Sequence, residues 1–267
     1  MLLAIQFLTL VPVRVKGDVS EKDMVGSTVF FPVAGACQGI MIAFAAVVMT
    51  RFFDAGTVCG FVLLAHVLSN WGFDLDGLAD TADGLSVKSA GNAAADIERR
   101  LSAMKDSTTG ASGATAIVMS LLLKFLLLNN LFHAVQLPLF IASVFMMTVF
   151  SKWVNVPAML RTTSARRDGL GKIFIDNISA GHLAGSTVVL AALFLASLSG
   201  LWQYGFQADY MSLFIPVLAS QYLLSLTAVL FFKKRFGGMT GDTFGALSEL
   251  SEIIFLMTAN IWLQRSI

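Results

Sequence analysis

Along its hydrophobic and polar positions the chain is a succession of long apolar runs broken by short polar ones. Crossing a hydrocarbon core of about 30 Å takes roughly 20 apolar residues in an α-helix. The runs at 27–50, 55–73, 111–132, 137–156, 183–203, 211–232 and 247–264 meet that requirement. The last is the weakest, because Glu249 and Glu252 interrupt its start. Lys124 interrupts the third, near enough to one end for its ammonium to snorkel to the interface. Residues 1–13 are apolar but too short to cross, and Arg14 and Lys16 follow the run where a signal peptide would carry its charges first. They read as a short N-terminal interfacial or re-entrant helix. No repeat or low-complexity linker divides the chain. The pattern predicts an all-α fold, a polytopic membrane helical bundle of about seven transmembrane helices, with 1–267 as a single integral membrane domain.

Composition agrees: 56% of residues are hydrophobic and 13% charged, whereas soluble domains carry about a quarter charged. A net charge of +1 argues against a nucleic-acid partner, which calls for a strongly basic face. Cys37 and Cys59 both lie in apolar runs and read as buried thiols, not a disulfide framework.

The distribution of charge changes the picture more. Of the 18 Lys and Arg, 15 fall in loops on one side of the predicted bundle, leaving Arg51 and Arg265 opposite and Lys124 inside a span. By the positive-inside rule that side is cytoplasmic, the N-terminus with it, and the C-terminus is outside. All carboxylates except Asp54 and Asp209 share that side, so the polar chemistry faces the cytoplasm.

Three polar blocks carry candidate chemistry. In "DLDGLADTADGL" (Asp74–Leu85), Asp76, Asp80 and Asp83 are spaced to share one helical face, with Asp74 pointing elsewhere. Like charges at that spacing repel, and no basic residue follows before Lys88. A hard divalent cation would neutralise them, Mg²⁺ typically taking one or two carboxylates plus substrate phosphates. The competing reading is a solvated acidic helix start favoured by the helix dipole.

In "ERRLSAMKDSTTGASG" (Glu98–Gly113), Arg100 and Lys105 stand near Asp106, and a small-residue run opens the third span. Free N–H groups at that helix start, with cations nearby, suit an anion. Asp106 is either a further ligand or an N-cap. In "KKRFGGMTGDTFGALSELSE" (Lys233–Glu252), Gly237 and Gly238 allow close backbone approach to a ligand, and Thr240 and Asp242 offer polar contacts. Glu249 and Glu252 enter the last span, where carboxylates are costly and usually functional. In the 157–182 loop, arginines suit phosphate, and Arg161 lies nearest the membrane. His66, His133 and His182 read as packing or capping groups, with no metal role.

These blocks, in this order, together with "FLTLVPV" and "FFPVAGACQG", resemble the cobalamin (cobamide) synthase family, the adenosylcobinamide-GDP ribazoletransferases. The resemblance covers nearly the whole chain. It implies a Mg²⁺-dependent enzyme of the bacterial inner membrane, in contact with the lipid bilayer. The 5′-hydroxyl of α-ribazole, or of its 5′-phosphate, attacks the cobinamide-linked phosphorus of adenosylcobinamide-GDP; GMP leaves and adenosylcobalamin or its 5′-phosphate forms. On this reading Asp76, Asp80 and Asp83 hold metal, with Glu249 and Glu252 as further metal candidates. Asp80, Asp83 or Asp106 accepts the hydroxyl proton. Arg100, Lys105 and Arg161 hold the diphosphate, and Gly237, Gly238, Thr240 and Asp242 line the nucleotide or ribazole pocket. The family often has a neutral residue at Asp74, which receives no role.

Asp80, Asp83 and Gly84 also resemble the start of the CDP-alcohol phosphotransferase motif, but Leu85, Ser86 and Val87 depart from its continuation. A phospholipid synthase is therefore the enzyme alternative, and an ion or proton transporter the non-enzyme one. A transporter calls for acids near the midplane of several spans, whereas the sequence puts them at span ends. Oligomeric state stays open.

Overall fold

The computed structural model describes residues 1–263 apart from 14, 16 and 206. Arg14, Lys16 and Arg265, three of the charges used above, lie outside the described residues, as does the side chain of Asp209. The described residues form α1 (Leu2–Leu8), α2 (Glu21–Gly26), α3 (Phe31–Met49), α4 (Ala55–Ser69), α5 (Phe73–Ser86), α6 (Ala93–Ala103) and α7 (Ala111–Ala134). They continue with α8 (Leu137–Trp153), α9 (Asn155–Arg161), α10 (Leu170–Asn177), α11 (Ala180–Gly200), α12 (Gln207–Phe236) and α13 (Gly241–Leu263). Among these residues there is no strand, only an isolated parallel bridge between Ser164 and Met239.

Among the described residues six helical elements are long and apolar enough to span: Glu21–Met49, Ala111–Ala134, Leu137–Arg161, Ala180–Gly200, Tyr210–Phe236 and Gly241–Trp262. A helix is the form in which a lipid-exposed backbone satisfies its own polar groups. Their outer faces carry exposed Phe44, Leu122, Val188, Ile215, Leu223 and Leu230, the side chains expected against lipid. Inside, α8 is buried along most of its length among α3, α11 and α13.

The predicted span 55–73 takes a different form. Its helix, α4, ends at Ser69, and the chain bends by 84° before α5. At the bend Trp71 (φ 56°) and Gly72 (φ 74°) both occupy the left-handed region, an uncommon conformation for tryptophan. Since α4 packs along the spanning α3, a right-angled α5 runs across one end of the bundle instead of continuing the span. The last span starts at Gly241, earlier than the predicted 247, so Glu249 and Glu252 lie roughly two and three turns inside it. At the N-terminus, α1 has only seven residues and buries Ala4, Ile5 and Leu8.

Candidate active site

The end of the bundle crossed by α5 gathers the polar blocks. Close crossing of α5 over the start of α13 depends on Gly77, where a Cβ would meet the carbonyl oxygen of Asp242 at 2.6 Å. That contact brings the Asp76–Asp80 face against Asp242. Asp76 is exposed, and Asp80 is half-buried. Burial, then the negative charges of Asp76, Asp242 and Asp83, push the Asp80 carboxyl up to about 6, while Arg166 pulls it down.

Asp83, one turn on, turns to α7. Its two oxygens accept the backbone N–H groups of Gly110 (2.7 Å) and Gly113 (2.8 Å). The anion expected at this helix start is therefore the chain's own carboxylate, supported by the helix dipole. The approach needs both glycines: a Cβ at Gly110 or Gly113 would come within 2.6 or 2.5 Å of an Asp83 oxygen.

Arg166 is the cation of this group. Its Nη2 donates to Asp242 Oδ2 at 2.7 Å, and its buried Nε has no partner among the described residues. The loop carrying it is pinned by backbone bonds from Met239 N to Thr163 O (2.9 Å) and from Ala165 N to Met239 O (3.0 Å). Here lies the role of the glycine pair: a Cβ at Gly238 would collide with Thr163 O, while Gly237 (φ 79°) ends α12. The close approach that the sequence suggested for a ligand is made to the 163–165 backbone. Thr240 is buried and exchanges hydrogen bonds with Thr243 at the start of α13.

Four carboxylates thus stand against one guanidinium, with oxygen donors only. In charge and donor type such a set suits a hard divalent cation, with Asp83 already bound to α7. Among the described residues, however, the oxygens of Asp76, Asp80 and Asp242 do not form a group within 4.8 Å of one another, so these side chains would have to close up to hold one. Beside this set, sharing Arg166, Thr240 and Gly241, lies a cavity of about 300 Å³ whose walls come from α1, α10, α13 and the 164–169 loop, with smaller contributions from α3, α5 and α9.

Other nominated residues lie elsewhere. Arg161 donates to the Tyr222 hydroxyl (2.8 Å) and stacks over its ring, apart from the carboxylates; Arg166, five residues on, takes the position expected of it. Arg100 is buried and donates to Arg235 O (3.1 Å), capping α12. Lys105 is exposed. Asp106 is exposed and accepts from the Thr108 hydroxyl (2.7 Å) and N–H (3.0 Å), which hold its carboxyl below the ordinary range. Asp74 is buried, ion-paired with Lys152 and hydrogen-bonded by Asn70 (2.7 Å). The sequence could have found that pair only through the unusual placing of Lys152 at the end of an apolar span.

Glu249 and Glu252 also form a separate group. Lys124 Nζ lies 2.7 Å from Glu249 and 2.8 Å from Glu252, Ser120 donates to Glu249 (2.7 Å), and His66 Nε2 meets Glu252 at 2.8 Å. Lys124 is fully buried, so its expected snorkelling to the interface is overturned: two carboxylates within the bundle hold it there. These acids are likewise not at a span end, as the transporter comparison supposed. Atoms of His66, Glu249 and Glu252 lie within 4.8 Å of one another, but the ammonium already supplies the cation between the carboxylates. His182 forms the predicted helix-start contact, its Nδ1 accepting from Ser179 N at 3.1 Å.

Comparison with known proteins adds an independent line. A family profile described as cobalamin-5-phosphate synthase matches residues 1–260. A Thermodesulfovibrio yellowstonii protein named adenosylcobinamide-GDP ribazoletransferase is 34% identical over 259 residues, covering 96% of this chain and 94% of the relative. Proteins of the same name from Geotalea daltonii (31% identical, 96% and 94% covered) and Clostridium acetobutylicum (27%, 97% and 94%) are also similar. No solved structure matches the chain.

Proposed function

The chain belongs to the cobalamin-5-phosphate synthase family, and on that premise we propose that its carboxylate face transfers a cobinamide-linked phosphoryl group from adenosylcobinamide-GDP to the 5′-hydroxyl of α-ribazole or its 5′-phosphate. The hydroxyl oxygen bonds to phosphorus, the bond from phosphorus to the GMP oxygen breaks, and GMP departs with that electron pair. The observation carrying this reading is that Asp76, Asp80 and Asp242 act on one another electrostatically around Arg166, which holds Asp242 and also lines a cavity.

Asp76, Asp80 and Asp242 would hold Mg²⁺. Bound there, the ion supplies charge neutralisation and orientation for the diphosphate. Arg166, tethered by Asp242, presents its remaining N–H groups to a phosphate oxygen. Asp80 is the central carboxylate, with Asp76 a turn before it and Asp242 across from it, and it takes the hydroxyl proton. Asp83 serves by locking α7 against α5, which keeps the face in register. The charge bias of the loops supports a cytoplasmic site in a bacterial inner membrane.

The test uses purified protein in nanodiscs with adenosylcobinamide-GDP, α-ribazole and Mg²⁺, the corrinoid product being resolved chromatographically. Product formation that stops on chelation supports the reading; no product from folded protein sinks it.

A further inference from the structure

We propose that the cavity between α1, α10 and the start of α13 seats the aromatic base of the nucleoside acceptor, with its ribose toward Asp80 and Asp242. This rests on the phosphotransferase reading above and assigns one of its two substrates to a place.

Size makes the first selection. At about 300 Å³ the cavity sits at the small end of ligand sites, which run from roughly 300 to 1,000 Å³. That accommodates a bicyclic base with its sugar, and excludes a corrin macrocycle.

The walls make the second. Phe7, Phe31, Phe73 and Phe174 all line the cavity, and their rings are linked in a chain. Centroids lie 6.3 Å apart for Phe7 and Phe73, 5.8 Å for Phe7 and Phe174, and 5.8 Å for Phe31 and Phe174. Such a wall offers faces and edges to a flat ring. Two of its members would be ill placed otherwise: Phe7 is 38% and Phe73 52% exposed.

Polar groups make the third. Asn155 lines the cavity, is only 5% exposed, and leaves its Oδ1 without a partner, while its Nδ2 donates to Ser248 Oγ at 2.9 Å. Nδ2 also donates to Ser151 O at 3.4 Å, which fixes the amide orientation and leaves Oδ1 as the free acceptor. Asn155 Oδ1 can therefore accept a hydrogen bond from a hydroxyl of the nucleoside. At the other end Arg166 both lines the cavity and binds Asp242, so the ribose at that end would point toward the carboxylate group.

Phe7→Ala and Phe73→Ala remove half-exposed rings that the fold can spare. In GMP-release kinetics each should raise the KM for α-ribazole by roughly three- to tenfold, the range for losing one aromatic contact, while leaving the KM for adenosylcobinamide-GDP unchanged. An unchanged KM for α-ribazole, or a rise for the donor instead, overturns the assignment. Should wild type release no GMP, the phosphotransferase reading fails by itself, and calorimetric titration of α-ribazole into the nanodisc protein still decides the cavity. Binding weakened by both variants supports it; binding that is unaffected, or absent in wild type, overturns it.

Discussion

Replacing Lys124 by methionine strikes the interior of the bundle. The substitution keeps an unbranched side chain of similar length and removes the ammonium. Glu249 is then left with the Ser120 hydroxyl and Glu252 with His66. Taking away one partner of a buried ion pair costs about 3–5 kcal/mol, because the remaining charge stays desolvated. For a chain of this size each kcal/mol moves a thermal midpoint by about 2–4 °C, so the loss should be ~6–20 °C. Scanning fluorimetry in detergent micelles would read it. A second variant, Lys124→Met with Glu249→Gln and Glu252→Gln, removes the uncompensated charge along with the ammonium and should recover at least half of the lost stability. If Lys124→Met melts within about 2 °C of wild type, a cost typical of an exposed pair, the buried cluster is not the stabilising unit described here.

Other expectations follow from the same geometry. Gly113→Ala would set a Cβ 2.5 Å from an Asp83 oxygen and 3.0 Å from Ala79 O. It should destabilise by about 1–3 kcal/mol through overpacking, and an unchanged melting midpoint would contradict the Asp83–α7 lock. Asp80 binds its proton more tightly when folded, with its carboxyl at about 6 against an ordinary 3.8. Its protonation therefore stabilises the fold below about pH 4, and that contribution is lost as pH rises through 6. Cation-free protein should melt lower at pH 7 than at pH 5, and Asp80→Asn should flatten that slope; a slope that persists in the variant refutes the assignment to Asp80. Arg166→Gln should slow turnover by roughly 10- to 100-fold, the worth of a charged hydrogen bond. Arg161→Gln, whose parent residue sits on Tyr222, should stay close to wild type, and the reverse ranking would move the phosphate contact to Arg161.

Much of this was legible in the residue pattern, for identifiable reasons. Apolar runs mark the spans because lipid imposes their length, and the spacing of Asp76, Asp80 and Asp83 marks one face because a helix imposes its period. Partners distant in sequence left no such mark. Nothing local pairs Asp74 with Lys152, or Lys124 with Glu249 and Glu252, so by sequence alone one lysine reads as able to snorkel and two glutamates as metal candidates. The 84° turn after Ser69 rests on a left-handed tryptophan, which propensity disfavours. The choice of Arg166 over Arg161 depends on a backbone pairing between residues 163–165 and 239, far apart in the chain. At Gly238 the sequence announced a close approach without saying to what.

In the proposed reaction the α5–α13 carboxylates carry phosphoryl transfer. Initial rates of GMP release against Mg²⁺ concentration, for wild type, Asp76→Asn, Asp80→Asn and Asp242→Asn in nanodiscs, test it most directly. Release in wild type should depend on Mg²⁺ and fall by roughly 100-fold or more in each variant, of the order seen when a charge-stabilising catalytic group is removed, while Lys105→Ala keeps its rate. A folded Asp80→Asn protein that releases GMP at the wild-type rate would contradict this proposal.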